Sequence, residues 1–217
     1  MRILPARSPS GKSFRLFNAS KSALDDESVP SIRLRLMFGV DIEDFSGRTQ
    51  KMQADAQRDL ERVLIRAADA TGIDPRRWRL QPGGDGALIV LPEGIDFGRV
   101  VGCLPANIER ELARLVRPGR RLRLRLAVHY GFVTSPASSF GPAGDAPVLV
   151  ARLLDAAPVR RRLAESPDRD LALIVSDRIF RDVVASGMCA LRPGDFRRAD
   201  MVVKGRGYRG HVHEPGG

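Results

Sequence analysis

The chain has 217 residues, of which 43% are hydrophobic, and this suits one ordinary domain with a sizeable core and a tail. The formal net charge is +10, but the 36 basic residues are spread along the chain, so we do not expect a nucleic-acid partner. Two distant cysteines argue against a disulfide framework, and apolar stretches too short for a bilayer predict no membrane partner and a cytoplasmic location.

The first 31 residues differ in composition from the rest of the chain. They are rich in serine and proline, change from basic to acidic, and show neither the strand nor the helix period. We therefore predict a flexible N-terminal arm over residues 1–31, followed by one folded domain over residues 32–214.

From Ile32 onward, regular patterns alternate between strand and helix. In chain order they predict a strand at 33–42, a helix at 48–70, a hairpin of 78–81 and 87–91, a helix at 98–116, a strand at 121–133, a helix at 145–164, a strand at 171–175, a short helix at 179–185, and strands at 201–203 and 208–213. This order favours an α/β (α+β) fold. Because two pairs of strands are linked as hairpins, the central sheet is expected to be mixed and covered by helices.

Arginines alternate with leucines at the start of the predicted strand 121–133. Leu122, Leu124 and Leu126 are expected to face the core, while Arg121, Arg123 and Arg125 are expected on a solvated face.

Two aspartates carry the strongest functional signal. Asp41 ends an apolar run, and Asp85 lies in a Gly-Gly-Asp-Gly turn just before the apolar residues 87–91. An aspartate at such a place is often only a turn or helix cap. Two carboxylates at neighbouring strand tips, however, would form a hard-oxygen site suited to Mg²⁺ and phosphate chemistry.

Five segments together resemble one family. They are the segment Val-Asp-Ile-Glu-Asp-Phe-Ser at 40–46, Gly84-Asp85, the strand at 126–133 that contains His-Tyr-Gly, Gly144-Asp145 with Ala-Arg-Leu at 151–153, and Val-Lys-Gly-Arg-Gly at 203–207. In this order they resemble motifs of the class III nucleotidyl cyclases, the catalytic domains of adenylate and guanylate cyclases. The resemblance covers roughly residues 33–213 and implies the ferredoxin-like cyclase fold.

The resemblance implies a reaction in which a nucleoside triphosphate becomes a 3′,5′-cyclic nucleotide and pyrophosphate. It implies a homodimer with active sites at the interface, and two Mg²⁺ (or Mn²⁺) ions per site. The residues it assigns are Asp41, Ile42 (through its carbonyl) and Asp85 as metal ligands, Arg152 and Lys204 as catalytic groups, and Phe45, Ser46, Gln81 and Arg206 as nucleotide contacts.

The chain departs from the family pattern at several positions. Val148 stands where an asparagine usually orients the ribose, and Asp44 replaces the glycine of the first motif. Gln81 stands at one position that usually contacts the base, and the other such position falls near Gly141, which has no side chain. A catalytically inactive cyclase fold that binds nucleotides or dimerises as a regulatory module is therefore the second hypothesis, and a nucleic-acid-binding module is a weaker third.

Overall fold

The structure is a computed structural model that describes residues 31–115, 121–135, 142–203 and 205–215. The predicted arm lies outside these ranges except for Ser31, which begins the first strand. Gly141 and Lys204 also lie outside the described residues, so the roles expected for them stay predictions.

One seven-stranded sheet with helices on both faces forms the domain. Its elements are β1 (Ser31–Ile42), α1 (Gln50–Thr71), β2 (Arg79–Pro82), β3 (Gly86–Val90), α2 (Phe97–Arg114), β4 (Leu124–Ser135), α3 (Asp145–Leu154), α4 (Ala157–Ala164), β5 (Leu171–Ser176), α5 (Asp177–Ile179, continued by a π-helical turn Phe180–Val184), β6 (Phe196–Val203) and β7 (Arg206–His213). The strand order is β2-β3-β1-β4-β5-β7-β6, and only the pair β4–β5 is parallel. The predicted mixed sheet is confirmed.

The two faces of the sheet carry separate hydrophobic clusters. On β1, Leu36, Phe38 and Val40 belong to the cluster that includes α1 and α2. Met37 belongs to the cluster that includes α3 and α4, and we call that side of the sheet the α3 face. Because side chains alternate along a strand, Asp41 projects from the α3 face as Met37 does.

Helix α3 lies directly on β1, close to Asp41. A Cβ atom on Gly39 would come within 2.6 Å of both Val150 Cγ1 and Leu154 Cδ1. Glycine at this position therefore allows the close contact between helix and strand. The contact places the C-terminal end of α3 over β1, two residues before Asp41.

The single helix predicted over 145–164 is wrong, because two helices occupy that range. Helix α3 ends at Leu154, Ala156 is extended, and α4 begins at Ala157. Pro158 has no N–H group to donate to the carbonyl four residues earlier, so the helix cannot continue through it. Strand β6 also begins at Phe196, earlier than the predicted 201.

None of the helices in the described part of the chain is both long and apolar enough to cross a bilayer.

Candidate functional site

The structure brings the two predicted metal aspartates to the same edge of the sheet. Asp41 on β1 is opposite Gly86 on β3, the residue that follows Asp85. The backbone N–H of Ile42 donates a hydrogen bond of 2.8 Å to the carbonyl of Asp85. A Cβ atom on Gly86 would lie 2.0 Å from the carbonyl oxygen of Val40, so this approach requires glycine.

The carboxyl group of Asp41 is in an unusual electrostatic environment. Burial raises the pKa of Asp41 to about 6, the nearby Arg125 opposes this rise, and the carboxylate of Asp85 adds to it. Asp41 Oδ2 lies 2.5 Å from Arg125 Nη2, and both side chains are mostly buried. Its other oxygen, Oδ1, is buried and accepts no hydrogen bond from any residue in the described ranges.

The expected solvated arginine stripe is wrong at two of its three positions. The side chain of Arg125 is only 13% exposed and pairs with Asp41. Arg123 Nη1 lies 2.6 Å from Glu43 Oε2, and its other nitrogens donate to backbone carbonyls. The predicted alternation of side chains along β4 is correct. The arginines, which project opposite to the leucines, lie on the α3 face, and that face is partly covered. Sequence patterns do not indicate that Arg125 belongs to this site.

The loop after β1 holds the predicted phosphate contacts Phe45 and Ser46. Helix α1 begins only at Gln50 with Thr49 as its N-cap, so these residues precede the helix and do not form its first turn. Within the described part of the chain, no residue accepts a hydrogen bond from the N–H groups of Phe45 or Ser46. These amides can therefore donate to an anion.

Asp44, in the same loop, stands where the family pattern has glycine. Its φ is 51°, and it is the one non-glycine residue in the described ranges with a positive φ. Aspartate tolerates this left-handed conformation better than most residues, which explains how the loop keeps its shape without glycine.

Asp44→Gly is expected to raise the free energy of unfolding by about 0.5–1 kcal/mol, because glycine adopts a positive φ without steric cost. Asp44→Ala is the matched control and should lower the free energy of unfolding by a similar amount. Urea unfolding of both variants measures the effect. A destabilised Asp44→Gly protein would show that the carboxylate has a structural role in the loop.

The donor set fits a magnesium ion that is shared with a substrate. No cluster of three or more carboxylate, histidine or cysteine side chains that could hold a metal occurs among the residues that the structure describes. Mg²⁺ is commonly bound by one or two carboxylates together with substrate phosphates and water. The free oxygen of Asp41, the carboxylate of Asp85 and the carbonyl of Ile42 match that requirement.

Other predicted site residues lie elsewhere on the chain. Arg206 and Val148 line a cleft of about 540 Å³ formed by the end of β4, the start of α3 and the hairpin of β6 and β7. The first residue of β4 that lines this cleft is His129, four residues from Arg125, a separation of about 13 Å along the strand. Within one chain, therefore, the cleft and the two aspartates do not form a single site.

Arg152 does not act on the charge of Asp41, and Gln81 lies on β2, which β3 separates from β1. Arg152 is half-buried on α3, and it is not among the groups that act on the carboxyl of Asp41, which are Arg125, Asp85, Asp155 and Arg160. Gln81 is paired with Leu88 across the hairpin of β2 and β3. Their assigned roles remain predictions.

Comparison with solved structures finds adenylate and guanylate cyclase domains. The adenylate/guanylate cyclase/hydrolase from Silicibacter pomeroyi has a TM-score of 0.58 and 18% identity, with 87% of this chain and 100% of that chain covered. The guanylate cyclase domain of RhGC from Catenaria anguillulae, solved in complex with GTP, has a TM-score of 0.57 and 18% identity, with 84% and 96% covered. The chain has the fold of a nucleotidyl cyclase catalytic domain.

A third cyclase-fold neighbour is the catalytic core of a rhodopsin-guanylyl cyclase with converted specificity, in complex with ATPαS. It has a TM-score of 0.57 and 16% identity, with 85% of this chain and 98% of that chain covered. No protein-family profile matches the chain. No curated protein sequence matches it either. The expected cyclase fold is therefore confirmed by structure, at identities too low to transfer an activity.

Proposed function

We propose that this protein is a divalent-metal-dependent nucleotidyl cyclase, which converts a nucleoside triphosphate to a 3′,5′-cyclic nucleotide and pyrophosphate. The observation that carries the proposal is the buried oxygen of Asp41, which has no hydrogen-bond partner among the described residues and lies beside Asp85. Leaving a carboxylate oxygen buried and unpaired is costly, and a bound cation would remove that cost.

The residues of the loop and strand tips have complementary tasks in this reaction. Asp41 and Asp85 hold the cations, and Arg125 fixes the orientation of Asp41 through Oδ2 while leaving Oδ1 free. The N–H groups of Phe45 and Ser46 donate to phosphate oxygens. Bound Mg²⁺ or Mn²⁺, with two ions per site, would lower the pKa of the ribose 3′-hydroxyl and neutralise phosphate charge.

The separation of the site residues supports an active site shared between two copies of the chain. Asp41 and Asp85 are at one end of the β1–β4 pair, whereas Val148 and Arg206 are at the other. A homodimer in which each copy supplies its aspartates to the cleft side of its partner would complete two sites. Arg152 and Lys204 would then stabilise phosphate charge from the partner's side.

Incubation of the purified protein with ATP, GTP, CTP or UTP, plus Mg²⁺ or Mn²⁺, tests the reaction. We expect one nucleotide to yield a cyclic product and pyrophosphate, and Asp85→Asn to yield neither. The identity of the nucleotide that reacts also shows which base is recognised at the position of Gln81. Absence of product from every combination would refute the catalytic proposal.

Shared sites predict complementation between two inactive variants. Asp41→Asn and Arg152→Ala are each expected to be inactive, and a mixture that exchanges subunits should recover up to about a quarter of wild-type activity, because a mixed dimer contains one intact site. Mass spectrometry of the mixture confirms subunit exchange. Exchange without any recovery of activity would contradict a shared site.

A nucleotide-binding regulatory module is the second candidate function. The observation that favours it is Val148, an apolar side chain 46% exposed in the cleft, where it offers no hydrogen bond to a ribose. This candidate predicts Mg²⁺-dependent binding of a nucleoside triphosphate without turnover. Binding that is unchanged in Asp41→Asn would count against both candidates.

A further inference from the structure

The cleft between β4, α3 and the β6–β7 hairpin has hydrogen-bond donors on several sides. Arg178, at the start of the helix after β5, lies on its rim, and Arg206 comes from β7. No described residue forms an ion pair with Arg206. Two arginines from different elements therefore line the same cleft.

Arg178 is held in place without being neutralised by a close carboxylate. Its guanidinium carbon lies 4.3 Å from the centre of the Tyr130 ring, a cation–π contact. Its Nε is 3.9 Å from Asp182 Oδ2, which is long for an ion pair, and Asp182 accepts a hydrogen bond from the Tyr130 hydroxyl. Arg178 also donates a side-chain hydrogen bond to the Tyr130 hydroxyl, so the guanidinium is pre-oriented, and its remaining N–H groups can bind an anion.

His129 adds a buried polar group to the wall of the cleft. The residue is 7% exposed, and its Nδ1 lies 2.8 Å from Ser176 Oγ. Burial lowers the pKa of His129 to about 4, so the ring is neutral at pH 7. Its second nitrogen, Nε2, would be only 2.9 Å from a Cβ atom on Gly131, so glycine keeps that nitrogen open toward the cleft.

The start of α3 also favours binding of an anion. Gly144 is its N-cap, and no side chain accepts a hydrogen bond from the first turn. Gly144 and Ala146 both line the cleft. Among the lining residues within the described ranges, Asp145 is the one with an acidic side chain, and it is exposed. The same lining contains two arginines and the backbone N–H groups of the helix start, which favour an anion.

We propose that this cleft binds the phosphate groups of a nucleotide, and that Arg178, which no sequence motif marks, binds them together with Arg206. The inference rests on the proposed function, because it extends the nucleotide site of the cyclase to a residue outside the family motifs. An oligophosphate has the charge and the several acceptor oxygens that two separated guanidinium groups can share.

The test is calorimetric titration of the full chain with inorganic tripolyphosphate in the presence of EDTA, so that neither metal binding nor catalysis enters the readout. Arg178→Gln is compared with Arg181→Gln, which removes the same charge from the same helical segment. Arg181 pairs with Asp177 and does not line the cleft. This control matters because a chain of net charge +10 attracts any polyanion.

We expect saturable binding by the wild type, weakened at least about tenfold in Arg178→Gln and in Arg206→Gln, and unchanged within about twofold in Arg181→Gln. Equal effects of Arg178→Gln and Arg181→Gln, or no saturable binding by the wild type, would overturn the inference. If Arg178→Gln does not fold, Arg178→Lys takes its place, because lysine keeps the positive charge but not the fork of N–H donors, and it is expected to weaken binding relative to Arg181→Gln. A failure here leaves cyclic-product formation to be judged separately, because the titration contains no metal.

Discussion

Asp41→Asn is expected to abolish divalent-metal binding and to lower cyclase activity by at least about a thousandfold, which corresponds to about 4 kcal/mol of transition-state stabilisation. Asparagine keeps the volume of the side chain but removes the negative charge that the cation requires. Product formation with Mn²⁺ and calorimetric titration of the metal measure the two effects. Activity within tenfold of the wild type would exclude Asp41 as a metal ligand.

The same substitution is expected to stabilise the metal-free protein at neutral pH. The folded protein holds the proton of Asp41 more tightly than the unfolded chain does, because the pKa rises from 3.8 to about 6 on folding. The free energy of unfolding therefore falls as the pH rises from about 4 to 6. Above that range the charged carboxylate of Asp41 lowers it by up to about 3 kcal/mol. Asp41→Asn removes this cost.

Urea unfolding in EDTA at pH 4 and pH 8 measures the difference between wild type and Asp41→Asn. The stability advantage of the variant should be present at pH 8 and should shrink toward zero near pH 4, where the wild-type carboxyl is protonated. Excess Mg²⁺ at pH 8 should raise the stability of the wild type alone. A variant that is less stable than the wild type at pH 8 would show that the Arg125 pair outweighs the burial cost.

Gly86→Ala is expected to lower the free energy of unfolding by more than about 3 kcal/mol, because its Cβ would lie 2.0 Å from the Val40 carbonyl oxygen. Strands β1 and β3 would have to move apart, and that movement would separate Asp41 from Asp85. The variant should therefore lose metal binding even under conditions in which it is folded.

Gly84→Ala is the matched control in the same turn. A Cβ atom there would have no neighbour within 4 Å, so the change should alter stability by no more than about 0.5 kcal/mol and should preserve metal binding. Urea unfolding and metal titration of the two variants give the comparison. Similar behaviour of Gly84→Ala and Gly86→Ala would contradict the close strand approach that unites the two aspartates.

Local sequence patterns were sufficient for the order of the seven strands and for the two strand tips. An apolar run that stops at Asp41 and a glycine-rich turn around Asp85 both mark strand ends, and the pairing of β1 with β3 brings those ends together. The helix after residue 145 was predicted too long because its apolar spacing continues beyond Pro158, whereas the hydrogen-bond ladder does not.

The roles of Arg125 and Arg178 depend on contacts between distant parts of the chain. Alternation along β4 shows which side of the strand an arginine occupies, but not that Asp41 of another strand lies beside it. Arg178 reaches the cleft because β5 is parallel to β4 and leads into a short helix next to Tyr130. Neither spacing nor composition contains that information.

A crystal structure of the protein with Mn²⁺ and a non-cyclisable nucleoside triphosphate analogue tests the central claim most directly. Anomalous scattering locates the ions without reference to activity. We expect Mn²⁺ within roughly 2.0–2.5 Å of carboxylate oxygens of both Asp41 and Asp85, and of phosphate oxygens of the nucleotide. Nucleotide bound without Mn²⁺ at these two carboxylates, or Mn²⁺ held only elsewhere, would contradict the proposed site.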